Sequence, residues 1–391
     1  MNGYIEYLGD SYNEESGEFD QHKAKNKAVN EKEKCNIIIC GASGVGKSTL
    51  INAFFGKDVV KAGTGKPVTQ HLEKITIPEK GLCLWDTKGI EAESYNATMT
   101  SLESEFIQAI DNANDDSDIP HIGWVCIKAS SDRVEDRDLT LIRLLEKRNI
   151  PAIVVFTRVT GKAEREFVKE AQLIIDKEYK EFMRGAYVSV NSIAYEIDED
   201  IVVEVKGLEL LSEVTEARFP DGKKSAKNAF LKAQRAKIGQ RLAAMKEGAS
   251  KVVHIASVAS GTVGLSPIPG SDAPIIAAIQ STMIYKINTE FELDADSSKM
   301  TSVLTGIMGV TALAQVGKAI VSNILKFIPG PGSLIGAAIS ATTAIAITEA
   351  VGHAYIAALE KFYDMEKGEV ILPENSDKII STFKEVFSHI K

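Results

Sequence analysis

The stretch CNIIICGASGVGKS at residues 35–48 decides the fold class. Its apolar first part, Cys35–Cys40, predicts a short buried strand, and the segment Thr49–Phe54 that follows the stretch can open a helix. Residues 41–48 fit the spacing GxxxxGK[ST] in full. In a strand–loop–helix context this spacing is typical of a phosphate-binding loop, because its glycines let backbone N–H groups converge on phosphate oxygens.

The side chains of this loop have distinct expected roles. We expect Lys47 to reach the β- and γ-phosphates and the Ser48 hydroxyl to bind Mg²⁺. The N-terminus of the following helix adds partial positive charge at the same point. The residues expected to bind the nucleotide phosphates are Gly41, Ala42, Ser43, Gly44, Val45, Gly46, Lys47, Ser48 and Thr49.

A second motif, Asp86-Thr87-Lys88-Gly89, follows the apolar run Leu82–Trp85. That run predicts a strand that delivers Asp86 at its carboxyl end. There the Asp86 carboxylate can hold Mg²⁺, usually through water, and the backbone N–H of Gly89 can meet the γ-phosphate. The motif is common by itself, but its position on a buried strand after the phosphate loop favours its use in the same site.

Between residues 34 and 221, short apolar runs alternate with amphipathic stretches. The runs that predict strands are Cys35–Cys40, Leu82–Trp85, Ile122–Ile127, Ile150–Phe156 and Ala186–Val190. The stretches that predict helices include Asp136–Arg148 and Ala163–Phe182. Such alternation indicates an α/β domain with a mostly parallel sheet and helices on both faces.

The two motifs together resemble the G1 and G3 motifs of Era-type GTPases of the translation-factor class, and Gly65–Gln70 resembles their switch I. The resemblance implies a Ras-like P-loop G domain over residues 34–221 that binds guanine nucleotide with Mg²⁺. Thr69 would then supply a second hydroxyl to the metal beside Ser48 and Asp86. Lys47, Thr69 and Gly89 would act on the γ-phosphate. Residues 207–211 are similar to the last helix of such domains.

The base-binding motif departs from that family. Its guanine selectivity comes from [NT]KxD, and the matching stretch here is Thr157-Arg158-Val159-Thr160. Arg158 can lay its flat guanidinium over the purine. Thr160 offers only a neutral hydrogen bond where the family has a charged one, a loss on the order of 1 kcal/mol or more. GTP stays favoured, and a relaxed-specificity ATPase is left open. The residues expected at the base are Thr157, Arg158, Asn191 and Ser192, the last two in a G5-like segment.

Hydrolysis is expected to be slow. Ras-like enzymes carry a Gln after the G3 glycine that orients the attacking water, whereas this chain has Ile90. The nearby Glu91 and Glu93 are expected to be solvated loop acids. A nucleotide-gated binding module with negligible hydrolysis therefore remains an alternative to a slow GTPase.

Charge divides the chain unevenly. Residues 1–222 hold 27 Lys and Arg against 40 Asp and Glu, whereas residues 223–391 hold 18 against 14. This distribution argues against nucleic-acid binding by the whole chain. We expect residues 1–33 to form an acidic tail that is disordered or loosely docked. Because this tail lacks the basic start and apolar run of a secretory signal, a cytoplasmic location is expected.

The C-terminal part, residues 222–391, differs in character from the rest. Residues 223–251 contain nine basic residues and one acid on a helical apolar stripe, which predicts a basic amphipathic helix. It would serve as a connector or contact an anionic membrane surface. The segments 252–271, 300–317 and 327–348 carry no Asp, Glu, Lys or Arg. They are compatible with a soluble or reversibly membrane-associated helical bundle and also with insertion into the inner membrane.

Part of this region resembles a known helical domain. The segments Pro267–Pro274, Ile279–Tyr285 and Ile328–Ser333 resemble the YcjF-like domain of unknown function that is fused to Era-like GTPases in bacteria. The layout is also loosely similar to immunity-related and dynamin-like GTPases. The resemblance implies an all-α effector region whose packing or membrane contact follows the nucleotide state. A homodimer or a protein effector is left open as a partner.

Overall fold

The structure, a computed structural model of this chain, describes residues 3–57, 59–62, 64–67, 72–87, 95–113, 118–131, 133–198, 201–263, 272–293, 298–316 and 341–389. The chain forms two compact units. One is Glu33–Arg241, and the other combines Met1–Lys32 with Leu242–Lys391. We refer to them as the sheet unit and the helical unit.

The sheet unit is built on a seven-stranded sheet. Its strands are β1 (Cys35–Cys40), β2 (Thr64–Pro67), β3 (Leu72–Ile77), β4 (Leu82–Thr87), β5 (Ile122–Lys128), β6 (Ala152–Thr157) and β7 (Tyr187–Val190). The strand order is β2-β3-β4-β1-β5-β6-β7. Neighbours from β4 to β7 run parallel, while β2 and β3 pair antiparallel at one edge. The predicted fold class, a mostly parallel α/β sheet followed by a helical region, is confirmed.

Burial explains which strands the sequence could reveal. Every residue of β1 and of β6 is buried, so these central strands are continuous apolar runs. Strand β3, which lies between the edge strand β2 and β4, alternates only in part, and its Glu73 and Lys74 are half-buried. Because buried and exposed side chains alternate so weakly along β3, the sequence predicts no strand there. The residues of β2 are covered only by the segment that resembles switch I.

Helices and one hairpin complete the sheet unit. The helices are α3 (Lys47–Phe55), α4 (Val59–Ala62), α5 (Tyr95–Asp111), α6 (Asp136–Lys147), α7 (Lys162–Met183), α8 (Leu208–Arg218) and α9 (Lys224–Ala233). The hairpin pairs β8 (Tyr195–Asp198) with β9 (Ile201–Val203). Aromatic side chains hold α9 in this unit, because Phe230 stacks on Phe54 at 5.8 Å and meets Phe55 edge-on, and Phe54 in turn contacts Trp124. The border between the two compact units lies at Arg241, whereas the sequence predicts a domain border after residue 221.

The basic segment 223–251 is two helices rather than the single helix that its spacing predicts. The chain leaves the helical conformation at Gln234, where ψ is 148°. The Gln234 side chain accepts a hydrogen bond from the Lys237 N–H at 2.7 Å. The next helix, α10, then runs from Ile238 to Gly261. The buried side-chain amide of Gln234 thus stabilises the break.

The helical unit takes its helices from both parts of the chain. They are α1 (Gly3–Leu8), α2 (Gln21–Asn30), most of α10, α11 (Asp272–Glu290), α12 (Ser298–Val316), α13 (Ala341–Lys361) and α14 (Ser376–His389). A short hairpin of β10 (Tyr363–Asp364) and β11 (Glu369–Val370) lies between α13 and α14. Among the buried side chains of its core are Tyr285, Tyr355 and Phe383.

The N-terminal segment is folded, which differs from the tail expected over residues 1–33. Tyr4, Tyr7 and Leu8 are buried in the core of the helical unit, at spacings of three and four residues. Lys286 of α11 lies over the Tyr7 ring at 4.6 Å and pairs with Glu31 at 2.6 Å. The acidic composition suggested a tail, but buried side chains of both α1 and α2 belong to the core of the helical unit.

One helix within the described residues, Ala341–Lys361, is long and apolar enough to cross a membrane. Its most apolar window is 67% buried inside the protein, as the core helix of a soluble bundle would also be. The uncharged segment 252–271 is helical as far as Gly261, and 300–317 lies in α12 as far as Val316. Residues 327–340 of the third segment lie outside the described residues.

Candidate functional site

The loop between β1 and α3 has the backbone of a phosphate-binding turn. Gly41, Gly44 and Gly46 have φ values of 145°, 73° and 96°, a region that L side chains rarely adopt. A Cβ at Gly41 would lie 2.5 Å from the Cys126 carbonyl oxygen, so no larger residue fits there. The glycines are therefore required by the turn itself and by its contact with β5.

Lys47 is the first residue of α3, and its side chain folds back onto the loop. Its Nζ donates to the Gly41 carbonyl at 2.9 Å and to the Ala42 carbonyl at 3.2 Å. The side chain is buried, whereas Ser43, Gly44 and Ser48 are exposed. The ammonium is thus held beside the exposed turn, where phosphate oxygens can replace the two carbonyl oxygens as its partners.

Asp86 lies near the carboxyl end of β4, beside Ile39 of β1. Burial raises the pKa of its carboxyl to about 6, the nearby Lys47 ammonium lowers that pKa, and Glu73 adds to the rise. Within the described part of the chain, Asp86 Oδ1 is buried without a hydrogen bond. A buried oxygen with no donor is costly by itself and fits a cation or its bound water. The residues present therefore fit Mg²⁺.

A cavity of about 470 Å³ lies beside the phosphate loop, at the carboxyl ends of β5, β6 and β7. Ligands bind at this edge of open α/β sheets. Its walls include two positively charged residues, Lys128 and Arg158, and one negatively charged residue, Glu164. The lining residues are Gly46, Thr49, Lys128, Ser130, Thr157, Arg158, Thr160, Glu164, Asn191, Ser192 and Ile193.

All four residues predicted at the base line this cavity, but two have side chains engaged elsewhere. Thr157 Oγ1 donates to the Val45 carbonyl at 2.6 Å and so ties β6 to the phosphate loop. Asn191 Nδ2 donates to the carbonyls of Ile193 and Glu204, both at 2.8 Å, and holds the ends of the β8–β9 hairpin. These two side chains position the walls rather than present themselves to a base. Arg158 and Thr160 are exposed or half-exposed at the cavity.

Several predicted residues lie outside the described residues: Thr69, Gly89, Ile90, Glu91 and Glu93. Conversely, the cavity includes Lys128, Ser130, Glu164 and Ile193, which sequence reasoning missed. Lys128 carried a usable signal, since it ends a predicted strand on the side of the sheet where the phosphate loop lies. Glu164 carried none, because it lies in a helix rich in acidic and basic residues.

Comparison with known proteins assigns both regions. Residues 36–158 match the family described as 50S ribosome-binding GTPase, and residues 227–385 match a domain of unknown function, DUF697. The small ribosomal subunit biogenesis GTPase RsgA of Clostridium kluyveri is 43% identical over 72 residues, which are 16% of this chain and 24% of the relative. RsgA of Clostridium acetobutylicum is 40% identical over 76 residues, 17% of this chain and 26% of the relative.

The magnetosome membrane protein 22 of Magnetospirillum gryphiswaldense is 28% identical over 150 residues, which cover 38% of this chain and 71% of that protein. The chain thus spans about a quarter of the length of the two RsgA relatives and a larger part of the third. A GTPase domain implies guanine-nucleotide binding. By these matches, the chain combines a GTPase domain of the kind described as 50S ribosome-binding with a helical region of the DUF697 kind.

Proposed function

We propose that this protein is an Era-like GTP-binding protein that hydrolyses GTP slowly with Mg²⁺, and that its nucleotide state is coupled to the helical unit. One observation carries the proposal. The Lys47 ammonium is held 2.9 Å from the Gly41 carbonyl, at a glycine turn that opens a helix. The Asp86 carboxylate lies near enough to be influenced by that charge.

The chain's own groups account for phosphate binding. Backbone N–H groups of the turn and the helix N-terminus meet the phosphates, and Lys47 exchanges its two carbonyl partners for phosphate oxygens. Ser48, Thr69 and Asp86 would hold Mg²⁺, which when bound neutralises phosphate charge. In the proposed scheme Lys47, Thr69 and the Gly89 N–H stabilise the charge that develops on the γ-phosphate. Ile90 cannot orient water, so we expect a slow intrinsic rate.

The binding step is tested with the variant Lys47→Ala. We expect the wild-type protein to bind GDP with Mg²⁺ in a calorimetric titration. The variant should bind at least about tenfold more weakly, since it loses a charge-assisted contact to phosphate. Lys57→Ala is the matched control, because Lys57 is an exposed lysine just after α3. Equal affinity of Lys47→Ala and the wild type would contradict the proposal.

Hydrolysis is tested separately, by single-turnover assay of bound GTP. Release of phosphate that depends on Mg²⁺ supports the slow GTPase. Retained GTP binding without any hydrolysis supports the second candidate, a nucleotide-gated binding module, which the apolar Ile90 favours. Equal displacement of GDP by ATP and GTP would instead support the relaxed-specificity ATPase that Thr160 leaves open.

We further propose that the helical unit associates with an anionic membrane surface. Three observations support this proposal: a membrane protein among the relatives, the apolar helix Ala341–Lys361 and the uncharged segment 300–317. Flotation with vesicles that contain phosphatidylglycerol tests it with GTP, GDP and no nucleotide. We expect flotation to depend on the nucleotide. Equal flotation in all three states would contradict the coupling, and no flotation would contradict the membrane contact.

A further inference from the structure

The cavity beside the phosphate loop contains a carboxylate that its sequence motif lacks. Thr160 stands where guanine-selective relatives of this motif carry Asp, yet Glu164, four residues later, lines the same cavity. Among the described lining residues it is the one that bears an acidic side chain. The cavity therefore has an anionic acceptor despite the substitution in the motif.

The position of Glu164 is set by the start of α7. Its Oε2 accepts a hydrogen bond from the Gly161 N–H at 2.8 Å, and this bond caps α7, whose N-cap Gly161 directly follows the base-binding stretch 157–160. A Cβ at residue 161 would lie 2.8 Å from that oxygen, so the glycine leaves room for the carboxylate to approach the loop. The carboxylate is thereby fixed on the cavity side of the helix end and is half-buried there.

The chemistry of the carboxylate matches one class of base. The cap engages one oxygen of a group that offers about four acceptor sites, so the carboxylate can still accept further bonds. Guanine presents two adjacent donors, N1–H and the 2-amino group, which a carboxylate pairs with in charge-assisted bonds. Adenine presents an acceptor at N1 and hydrogen at position 2. The other charged residues that line the cavity, Lys128 and Arg158, have side chains that only donate hydrogen bonds, so they cannot accept from guanine.

We propose that Glu164 is the residue that selects guanine, in the place of the missing aspartate at position 160. This inference rests on the proposed function, because it requires the base to lie in the cavity beside the loop. It revises the expectation of weakened selectivity that Thr160 by itself suggests. The selective contact is supplied by the first turn of α7 rather than by the loop before it.

The test is a calorimetric comparison of GDP, ADP and XDP, with Mg²⁺, on the full chain. The variant Glu164→Gln keeps an oxygen for the Gly161 cap but exchanges one acceptor for an amide donor. Xanthine carries a carbonyl at position 2, to which the new amide N–H can donate. Guanine carries an amino group there, and in the variant this group no longer meets a carboxylate oxygen that can accept from it. We expect the GDP-to-ADP affinity ratio to fall at least about tenfold and the XDP-to-GDP ratio to rise by a similar factor.

Glu166→Gln is the matched control. Glu166 is an exposed carboxylate in the same helical turn, and it does not line the cavity. Its Oε1 lies 3.6 Å from the Nζ of Lys162. Its variant should keep both ratios of the wild type. If Glu164 only caps the helix and does not contact the base, the XDP-to-GDP affinity ratio stays unchanged in Glu164→Gln. That result would overturn the inference.

The outcomes also separate this inference from the proposed function. A wild-type protein that binds GDP tightly, with a Glu164→Gln variant of unaltered ratios, overturns the role of Glu164 and leaves GTP binding in place. A wild-type protein that binds ADP and GDP equally overturns the inference too, because no selectivity then exists to assign. A folded wild-type protein that binds no purine nucleotide overturns both.

Discussion

Asp138 is a buried carboxylate at the start of α6, and its titration affects the stability of the sheet unit. Its side chain is 5% exposed, and its Oδ2 accepts a hydrogen bond from the Glu135 N–H at 3.0 Å. Burial raises the pKa of Asp138 from 3.8 to about 6. The hydrogen bond and Arg137 lower that pKa, and Glu135 raises it. The folded state therefore binds a proton more tightly than the unfolded chain does.

The sign of the pH dependence follows from this difference. Because the folded-state pKa lies above the unfolded value, the contribution of Asp138 to stability is largest below pH 3.8 and falls as the pH rises towards about 6. The variant Asp138→Asn keeps an acceptor for the cap but does not ionise. Relative to this variant, we expect the wild type to lose about 3 kcal/mol of unfolding free energy across that range.

Urea unfolding followed by tryptophan fluorescence measures this difference. Both tryptophans, Trp85 and Trp124, lie in the sheet unit, so their signal reports on that unit. Comparing the two proteins at each pH cancels the titration of groups that they share. A difference between them that stays constant from pH 4 to pH 7 would show that burial of Asp138 does not shift its pKa.

At the scale of elements, α1 shows how a short helix is held by tertiary contacts. Six residues are too few for a stable isolated helix. In its first turn, the Tyr4 N–H donates to the Thr262 hydroxyl at 3.0 Å. Its last residue, Leu8, is fully buried. Residues distant in sequence therefore create the helix.

The pair Leu8 and Ile5 tests this docking. Leu8→Ala removes a fully buried side chain and should lower the unfolding free energy of the helical unit by about 2–5 kcal/mol. Ile5 in the same helix is 39% exposed, so Ile5→Ala should change it by about 1 kcal/mol or less. Thermal unfolding by circular dichroism and hydrogen exchange of residues 272–290 are the measurements. Equal effects of the two variants would indicate that α1 is not docked on α11.

At the scale of the whole molecule, one compact unit is continuous in sequence and the other is not. The sheet unit is one segment, Glu33–Arg241, whereas the helical unit combines segments from before and after it. Contacts such as Lys32 Nζ to the Thr289 carbonyl, at 2.6 Å, join those two segments. The chain therefore crosses between the two units at both ends of the sheet unit, at residues 32–33 and 241–242.

Nucleotide binding should stabilise the sheet unit by mass action. With GDP and Mg²⁺ at a hundredfold excess over Kd, we expect its unfolding free energy to rise by about 2.7 kcal/mol. Tryptophan fluorescence measures this rise, and at the same GDP concentration Lys47→Ala should lower it to about 1.4 kcal/mol or less. An equal rise in both proteins would place the nucleotide away from the phosphate loop. A matching rise in the helical unit, followed by hydrogen exchange of residues 272–290, would demonstrate coupling between the units.

The sequence by itself determined the phosphate loop, the central strands and the α/β class, since each depends on local features. Glycine conformations, a lysine at fixed spacing and continuous apolar runs are properties of adjacent residues. It also placed Thr157 and Asn191 among the residues of the cavity, but it did not show what their side chains bond. The Thr157 hydroxyl bonds the Val45 carbonyl, which is 112 positions away, and Asn191 bonds the carbonyls of Ile193 and Glu204, whose positions depend on the β8–β9 hairpin.

Only the tertiary structure decided the docking of residues 3–30, the border at Arg241 and the presence of Glu164 in the cavity. The acidic N-terminal composition favoured a tail, yet burial of Tyr7 and Leu8 against α11 stabilises it. Phe230 assigns α9 to the sheet unit through contact with Phe54, 176 positions earlier in the chain. These outcomes depend on non-local packing, whose energy is absent from any local window of sequence.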